Sequence, residues 1–125
     1  MTGLGRWDAA VERVDKPWGY ELVYALSERY CGKVLFVRAG EQLSLQYHSV
    51  KDETIHVWSG RVEFQIGVAG EALAVEEVGP GRSFRFEPGT VHRMRAIEDT
   101  LLLEVSTPHL DDVIRLEDRY GRASI

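Results

Sequence analysis

Short apolar runs alternate with glycine-containing turns along most of the chain. Runs of β-branched and aromatic residues in which every second position is polar are typical of half-buried β-strands. Glycine at the connections permits the tight turns between them. Strands at roughly ten-residue spacing predict an all-β sandwich or barrel. The predicted strands cover residues 21–26, 33–38, 42–48, 53–59, 62–68, 72–77, 83–86, 92–96 and 101–106.

Both ends of the chain are less regularly patterned than its middle. We expect a short helix over residues 8–14, and a short helix or an irregular cap in the charged tail over 111–122. A length of 125 residues fits one domain. We divide it into an N-terminal extension over 1–18, a barrel over 19–106 and a C-terminal cap over 107–125.

The composition narrows the classes of partner. A net charge of -5 argues against a nucleic acid, because phosphate backbones select basic surfaces. No stretch is apolar for long enough to cross a bilayer, and the N-terminal residues do not show the apolar centre of a signal peptide. The single cysteine, Cys31, excludes an intrachain disulfide. We therefore expect no membrane partner and a cytoplasmic location.

A row of polar side chains lies on one predicted strand. Alternation places Ser44, Gln46 and His48 on the same face, which is costly in a barrel interior unless something binds there. Glu53 opens the next strand, so a hairpin brings its carboxylate beside His48. His92 lies far along the chain, after a Pro-Gly turn. Two imidazoles, a carboxylate and an amide oxygen predict a divalent metal site with open positions for substrate.

The predicted ligands are Gln46, His48, Glu53 and His92. Taken singly, each has an ordinary explanation as a surface or hydrogen-bonded polar residue, and it is their combination that favours a metal. We expect one divalent ion, with zinc as the first choice and manganese, nickel, cobalt or iron as alternatives.

The same residues resemble the two sequence motifs of the cupin superfamily. The first motif comprises Gly40, Gln46, His48, Glu53 and Gly60. Gln46 stands where many cupins have a histidine, and residues 81–92 resemble the second motif. The resemblance implies a double-stranded β-helix, which is a jelly-roll-like barrel, around the metal.

Four segments also resemble type II mannose-6-phosphate isomerases (phosphomannose isomerases). They are Lys-Pro-Trp-Gly at 16–19, Leu-Ser-Leu-Gln-Tyr-His at 43–48, Gly-Thr-Val-His-Arg at 89–93, and the tail over 111–122. Those enzymes use a divalent metal to interconvert mannose 6-phosphate and fructose 6-phosphate, and usually carry a nucleotidyltransferase domain ahead of the cupin. The resemblance implies a metal-dependent sugar-phosphate aldose–ketose isomerase whose partner is a small sugar phosphate.

Isomerisation requires a base for the carbon-bound proton. Glu104 and Lys33 are the catalytic candidates, because each alternates with apolar neighbours that point the other way. The alternative for each is a solvated charge at a strand end.

Four further residues are candidates for binding the substrate. Ser44 belongs to the metal row, and Lys51 supplies a cation where the family tends to carry arginine. Arg119 and Arg122 would bind a phosphate if the tail folds over the barrel mouth. The alternative for Arg119 is an ion pair with a neighbouring acidic residue on the surface.

Two other functions stay open. Two histidines and a carboxylate also resemble the facial triad of a non-haem iron dioxygenase. A non-catalytic module that binds metal and sugar would keep the same barrel.

An apolar row on the metal-bearing strand bears on the oligomeric state. Leu43, Leu45 and Tyr47 are predicted to face away from the metal, so the N-terminal segment with Trp18 or a second subunit should cover them. We prefer a homodimer.

Overall fold

The computed structural model describes residues 3–124, and nearly all of its regular structure is strand. A single 3-10 turn at Gly5–Trp7 precedes the first strand. The strands are β1 (Glu12–Lys16), β2 (Gly19–Leu26), β3 (Cys31–Val37), β4 (Leu45–Tyr47), β5 (Glu53–Ser59), β6 (Val62–Gly67), β7 (Ala74–Val78), β8 (Ser83–Phe86), β9 (Val91–Ala96), β10 (Thr100–Ser106) and β11 (Ile114–Glu117).

The strands form two antiparallel sheets. One sheet has six strands in the order β1-β2-β3-β10-β5-β8, and the other has five in the order β11-β4-β9-β6-β7. Large apolar side chains of both sheets, including Leu35, Phe64 and Leu102, are buried together in one core. Removing these side chains from water is the main stabilising contribution, at about 1.5–3 kcal/mol each. This arrangement confirms the predicted all-β, jelly-roll-like barrel.

The inward-facing row of several strands changes from apolar to polar at one end. On β5, Glu53 precedes the buried Ile55 and Val57, and on β10 the buried Leu102 is followed by Glu104. Because neighbouring strands are antiparallel, these polar ends meet at the same end of the barrel. A cluster of buried polar groups therefore lies beside the core.

Both ends of the chain differ from the prediction. The helix expected over 8–14 is wrong, because residues Glu12–Lys16 form strand β1 against β2. A seven-residue helix is marginal by itself, whereas the hairpin pairs the backbone groups of both strands. In the tail, Ile114–Glu117 form β11, a strand paired with β4, where a short helix or an irregular cap was expected.

The predicted central strands have counterparts in β2 to β10. The strand expected over 42–48 is shorter, since Gln42 makes only an isolated bridge to Arg95 before β4 begins at Leu45. Leu43 lies in the core and in the same pocket wall as His48, so the expectation that it faces away from the metal is wrong.

Within residues 3–124, no helix has the length and apolar character needed to span a bilayer.

Candidate metal centre

Three of the predicted ligands converge inside the barrel. The ligand atoms of His48, Glu53 and His92 all lie within 4.8 Å of one another, and all three residues are buried. Glu53 Oε1 is 3.0 Å from Nε2 of each histidine. The two imidazole centroids are 5.3 Å apart. Side chains separated by 44 and 39 residues along the chain thus point at one small volume.

Adjacent strands place the two histidines. His48 directly follows β4, and His92 is the second residue of β9. These strands are neighbours in the five-stranded sheet, where Gln46 pairs directly with His92. The Gly89 N–H donates to the His48 carbonyl at 2.8 Å and holds the turn before β9 against the end of β4. Glu53 approaches from the other sheet as the first residue of β5.

Backbone carbonyls fix the orientation of both imidazoles. His48 Nδ1 donates to the Asp112 carbonyl, and His92 Nδ1 donates to the Thr90 carbonyl at 2.9 Å. A carbonyl only accepts, so each ring carries a proton on Nδ1 and turns Nε2 toward Glu53, where this nitrogen either donates a proton to the carboxylate or, without its own proton, offers a lone pair to a cation. Phe86 stacks on the His92 ring at a centroid distance of 4.1 Å and restrains it further.

This donor set fits a divalent metal. The His92 Nε2 atom is buried and has no hydrogen-bond partner among the described residues. Two lone pairs and a carboxylate oxygen that converge in a buried site repel one another unless a cation lies between them. Imidazoles oriented by carbonyls, together with a carboxylate, are the ligands that zinc and similar ions take in proteins.

Gln46, the fourth predicted ligand, shares this face of the sheet. It lies opposite His92 in the ladder, and its Oε1 accepts a hydrogen bond from Ser44 Oγ at 3.2 Å. Its coordination of a metal stays a prediction.

A buried lysine links Glu53 to a second carboxylate. Lys51 Nζ lies 3.1 Å from Glu53 Oε2 and 3.1 Å from Glu104 Oε2. Burial alone would lower the pKa of Lys51, but the two carboxylates outweigh it and raise that pKa above its usual value. Lys51 is therefore a permanent cation between two acids.

The two acids differ in their surroundings. Burial alone would raise the pKa of Glu53, but its contacts with His48, His92 and Lys51 hold that pKa well below the usual range. Burial, followed by the charge of Glu53, raises the pKa of Glu104. Glu53 is therefore a stable anion suited to a ligand, whereas Glu104 is suited to exchanging a proton.

Asp112 fixes the connection between His48 and Glu53. Its carboxylate accepts the backbone N–H groups of Ser49, Val50 and Lys51 at 3.0, 2.7 and 2.8 Å. These bonds, with the Lys51 N–H first, lower the pKa of Asp112 to about 2. Sequence reasoning missed Asp112, since no pattern in the chain links it to His48, 64 residues away.

The fold and the geometry of the site agree with the family to which the sequence is similar. The family described as cupin domain matches residues 34–106. The chain belongs to the cupin family. The match includes all four predicted metal ligands of this cupin.

Curated relatives match nearly the whole chain. Mannose-1-phosphate guanylyltransferase ManC of Salmonella typhimurium is 35% identical over 125 residues, covering 94% of this chain and 25% of that protein. Xanthan biosynthesis protein XanB of Xanthomonas campestris pv. campestris is 33% identical over 128 residues, covering 98% of this chain and 26% of that protein. The cupin chain thus spans about a quarter of the length of these relatives.

Solved structures share the fold. KdgF from Halomonas sp. has a TM-score of 0.66 at 22% identity, over 80% of this chain and 90% of that one. Oxalate decarboxylase from Bacillus subtilis has a TM-score of 0.72 at 19% identity, over 85% of this chain and 30% of that one. At these identities the likeness establishes the cupin fold alone.

One pocket of the cupin opens onto the metal centre and contains most of the predicted site residues. The predicted residues in its wall are Lys33, Ser44, Gln46, His48, Lys51, Glu53, Glu104 and Arg122. His92 lies behind this wall, fully buried. In the wall, Lys33 Nζ contacts Glu21 at 3.3 Å, and Ser106 Oγ donates to the Glu104 carboxylate at 2.9 Å. The catalytic and substrate-binding roles of the predicted residues in this wall stay predictions.

Arg119 does not lie in the pocket wall. Its guanidinium donates to the Gly40 carbonyl at 2.7 Å and lies 3.8 Å from Glu41. This placement does not support the predicted contact with a substrate phosphate. Arg115, which sequence reasoning did not select, lines the pocket together with Arg122.

Proposed function

We propose that this cupin is a metal-dependent sugar-phosphate isomerase that interconverts mannose 6-phosphate and fructose 6-phosphate. The observation that carries the proposal is the buried His48–Glu53–His92 centre beside an acid with a raised pKa, Glu104, in one pocket. The segments that resemble type II phosphomannose isomerases support it. So does the relative named mannose-1-phosphate guanylyltransferase, a name that concerns a phosphorylated mannose.

His48, Glu53 and His92, with Gln46 as the predicted fourth ligand, would hold the metal. A divalent ion there would supply Lewis-acid stabilisation of the negative charge that develops on the substrate oxygens. We expect zinc, and the donor set also accommodates manganese, nickel, cobalt or iron.

Glu104 is the proposed general base. It takes the proton from carbon 2 of the aldose, exchanges it with solvent, and delivers a proton to carbon 1, while one hydroxyl proton moves from oxygen 2 to oxygen 1, so that the number of protons is unchanged overall. Ser106 and Lys51 hold its carboxylate at 2.9 and 3.1 Å and restrain its position. Lys33 pairs with Glu104 across β3 and β10, and we propose that it moves protons among the substrate hydroxyls. Ser44 and Lys51 would bind the substrate within the same pocket.

Proton exchange with solvent tests this function. Metal-loaded protein is incubated with fructose 6-phosphate or mannose 6-phosphate in deuterated water and followed by NMR. We expect interconversion with deuterium at carbon 2, and its loss in Glu104→Gln at unchanged metal content. Glu76→Gln, at an exposed residue paired with Arg82, is the control and should keep the activity.

Three results would contradict the isomerase. The first is fully metal-loaded protein that neither interconverts the two sugars nor incorporates deuterium. The second is sugar binding without exchange, which would indicate a non-catalytic module for metal and sugar. The third is aerobic turnover that requires ferrous iron, which would indicate a dioxygenase.

We also propose that the chain forms a homodimer through the outer face of its six-stranded sheet. Trp58 on β5 and Val105 on β10 are 62% and 60% exposed on the same side of adjacent strands. Exposed apolar side chains on one face of a sheet offer surface that a second copy of the chain can bury. The proposed partners are thus a small sugar phosphate and a second copy of the chain, and the proposed location is cytoplasmic.

A further inference from the structure

Arg115 is a pocket residue without an assigned role. We infer that it binds the phosphate group of the substrate as a phosphate monoester dianion, with Arg122 beside it. The inference deepens the proposed function and rests on it for the identity of the sugar phosphate.

The position of Arg115 in the sheet aims it at the metal centre. Arg115 on β11 pairs with Gln46 on β4, and Gln46 pairs in turn with His92 on β9. Directly paired residues point to the same face of a sheet, so the three form one row across the inner face. Two strand spacings amount to about 10 Å. This span is comparable with the length of an extended hexose phosphate, so a sugar held at the metal brings its phosphate to Arg115.

Arg115 lacks the partners that the other pocket cations have. Its Nε is shielded from solvent without a hydrogen-bond partner, and no carboxylate in the part of the chain that the structure describes forms an ion pair with it. In contrast, Lys33 pairs with Glu21, and Lys51 pairs with Glu104. A shielded donor without an acceptor is costly. A bound anion would remove that cost.

Arg122 adds a second guanidinium at the same place. It lines the pocket and binds Asp118 through Nε at 2.9 Å and Nη2 at 3.1 Å. Burial lowers the pKa of Arg115, and the positive charge of Arg122 lowers it further, while the negative charge of Asp118 partly offsets this. Two guanidinium groups with one carboxylate nearby, Asp118, which binds Arg122, carry a net positive charge. Their planar donors match the oxygens of a phosphate.

The tail holds Arg115 in place before any ligand binds. Its N–H donates to Ser124 Oγ at 3.0 Å, and its carbonyl accepts the Ser124 N–H at 2.8 Å. The chain after β11 thus folds back and fixes the backbone on both sides of the Arg115 Cα. A donor positioned in advance costs less conformational entropy on binding.

Calorimetric binding of fructose 6-phosphate tests the inference. The titration uses the full metal-loaded chain and compares wild type with Arg115→Gln, which keeps a polar side chain and removes the charge. We expect Arg115→Gln to bind fructose 6-phosphate about 10- to 100-fold more weakly, as for the loss of a charge-assisted hydrogen-bond pair. Its metal content should not change. Arg115→Lys restores the charge without the planar fork and should bind with intermediate affinity.

Arg61→Gln is the matched control. Arg61 is an exposed arginine that binds Glu77 at 2.8 Å and lies outside the pocket wall, so its loss should leave the affinity unchanged. Equal affinities of Arg115→Gln and wild type would overturn the inference, as would an equal loss in Arg61→Gln. If Arg115→Gln does not fold, the affinity of Arg115→Lys for fructose 6-phosphate is compared with wild type instead. An Arg115→Lys variant that binds as tightly as wild type would overturn the inference.

Binding and catalysis are read separately. Wild type that binds fructose 6-phosphate without isomerising it contradicts the proposed function, while the affinity comparison still decides the role of Arg115. Wild type that does not bind fructose 6-phosphate at millimolar concentration overturns the assignment to Arg115 itself.

Discussion

Two backbone carbonyls determine how the imidazoles of the metal centre can act. The carbonyls of Asp112 and Thr90 accept the Nδ1 protons of His48 and His92, which leaves both Nε2 atoms free to coordinate. Such hydrogen bonds behind the ligands raise their basicity and fix their direction. The Asp112 side chain adds to this, because its carboxylate holds the segment that follows His48.

We predict that Asp112→Ala weakens metal binding although Asp112 is not a ligand. The substitution leaves three backbone N–H groups without their acceptor and frees the connection between His48 and Glu53. Competition with a chromophoric chelator should show a loss of metal affinity of about 10- to 100-fold. Asp111→Ala, at the exposed neighbouring residue, should bind like wild type. Equal affinities of the two variants would show that the Asp112 carboxylate does not support the site.

The sequence predicted the convergence of His48, Glu53 and His92 because alternation along a strand determines the face on which a side chain lies. The role of Asp112 was not predictable, since it acts largely through backbone groups distant in the chain. In the tail, the choice of Arg119 missed Arg115. β11 ends at Glu117, so Arg115 lies within the strand that pairs with β4 whereas Arg119 lies beyond it, and the residues of the tail do not show where this pairing ends.

At the scale of elements, the turn between β5 and β6 requires glycine. Gly60 has a φ of 95°, and a Cβ there would lie 2.4 Å from the Asp99 carbonyl oxygen and 2.8 Å from the Thr100 Cα. This turn packs directly on the residues that begin β10. It therefore sets how β5, with Glu53 at its other end, lies beside Glu104.

We predict that Gly60→Ala lowers the free energy of unfolding by about 2–4 kcal/mol, the sum of left-handed strain and overpacking. Gly70→Ala is the matched control, because its φ of 84° is similar but nothing lies within 4 Å of the added Cβ. It should lose only about 1–2 kcal/mol. Urea unfolding followed by tryptophan fluorescence measures both. Equal losses would contradict the close approach at Gly60.

The central strands were predictable because each buries one face in the core and therefore shows a period of two. The strands β1 and β11 were not. Glu12–Lys16 is mostly exposed, and both strands lie at the edge of a sheet. An edge strand forms because a neighbouring strand offers backbone groups to pair with. Its own residues therefore show only a weak alternation of apolar and polar positions.

At the scale of the whole molecule, Trp58 and Val105 expose apolar side chains on the outer face of the six-stranded sheet. We predict that the chain sediments at equilibrium as a dimer of twice its 14.2 kDa mass. Val105→Glu should give a monomer, because it places a charge in the apolar contact. Val75→Glu, at a similarly exposed valine on β7 of the other sheet, should remain dimeric. A wild-type monomer at micromolar concentration would contradict the proposed dimer.

The metal content of the purified protein tests the account most directly. His92 contributes a fully buried Nε2 that has no hydrogen-bond partner among the described residues. His56, half-buried and bonded to Ser83, provides the comparison. Elemental analysis by mass spectrometry should find about one divalent ion per chain in wild type and in His56→Ala, and almost none in folded His92→Ala. A wild type that stays metal-free after incubation with zinc, manganese, nickel, cobalt and ferrous iron, or a His92→Ala variant that keeps its ion, would contradict the metal centre.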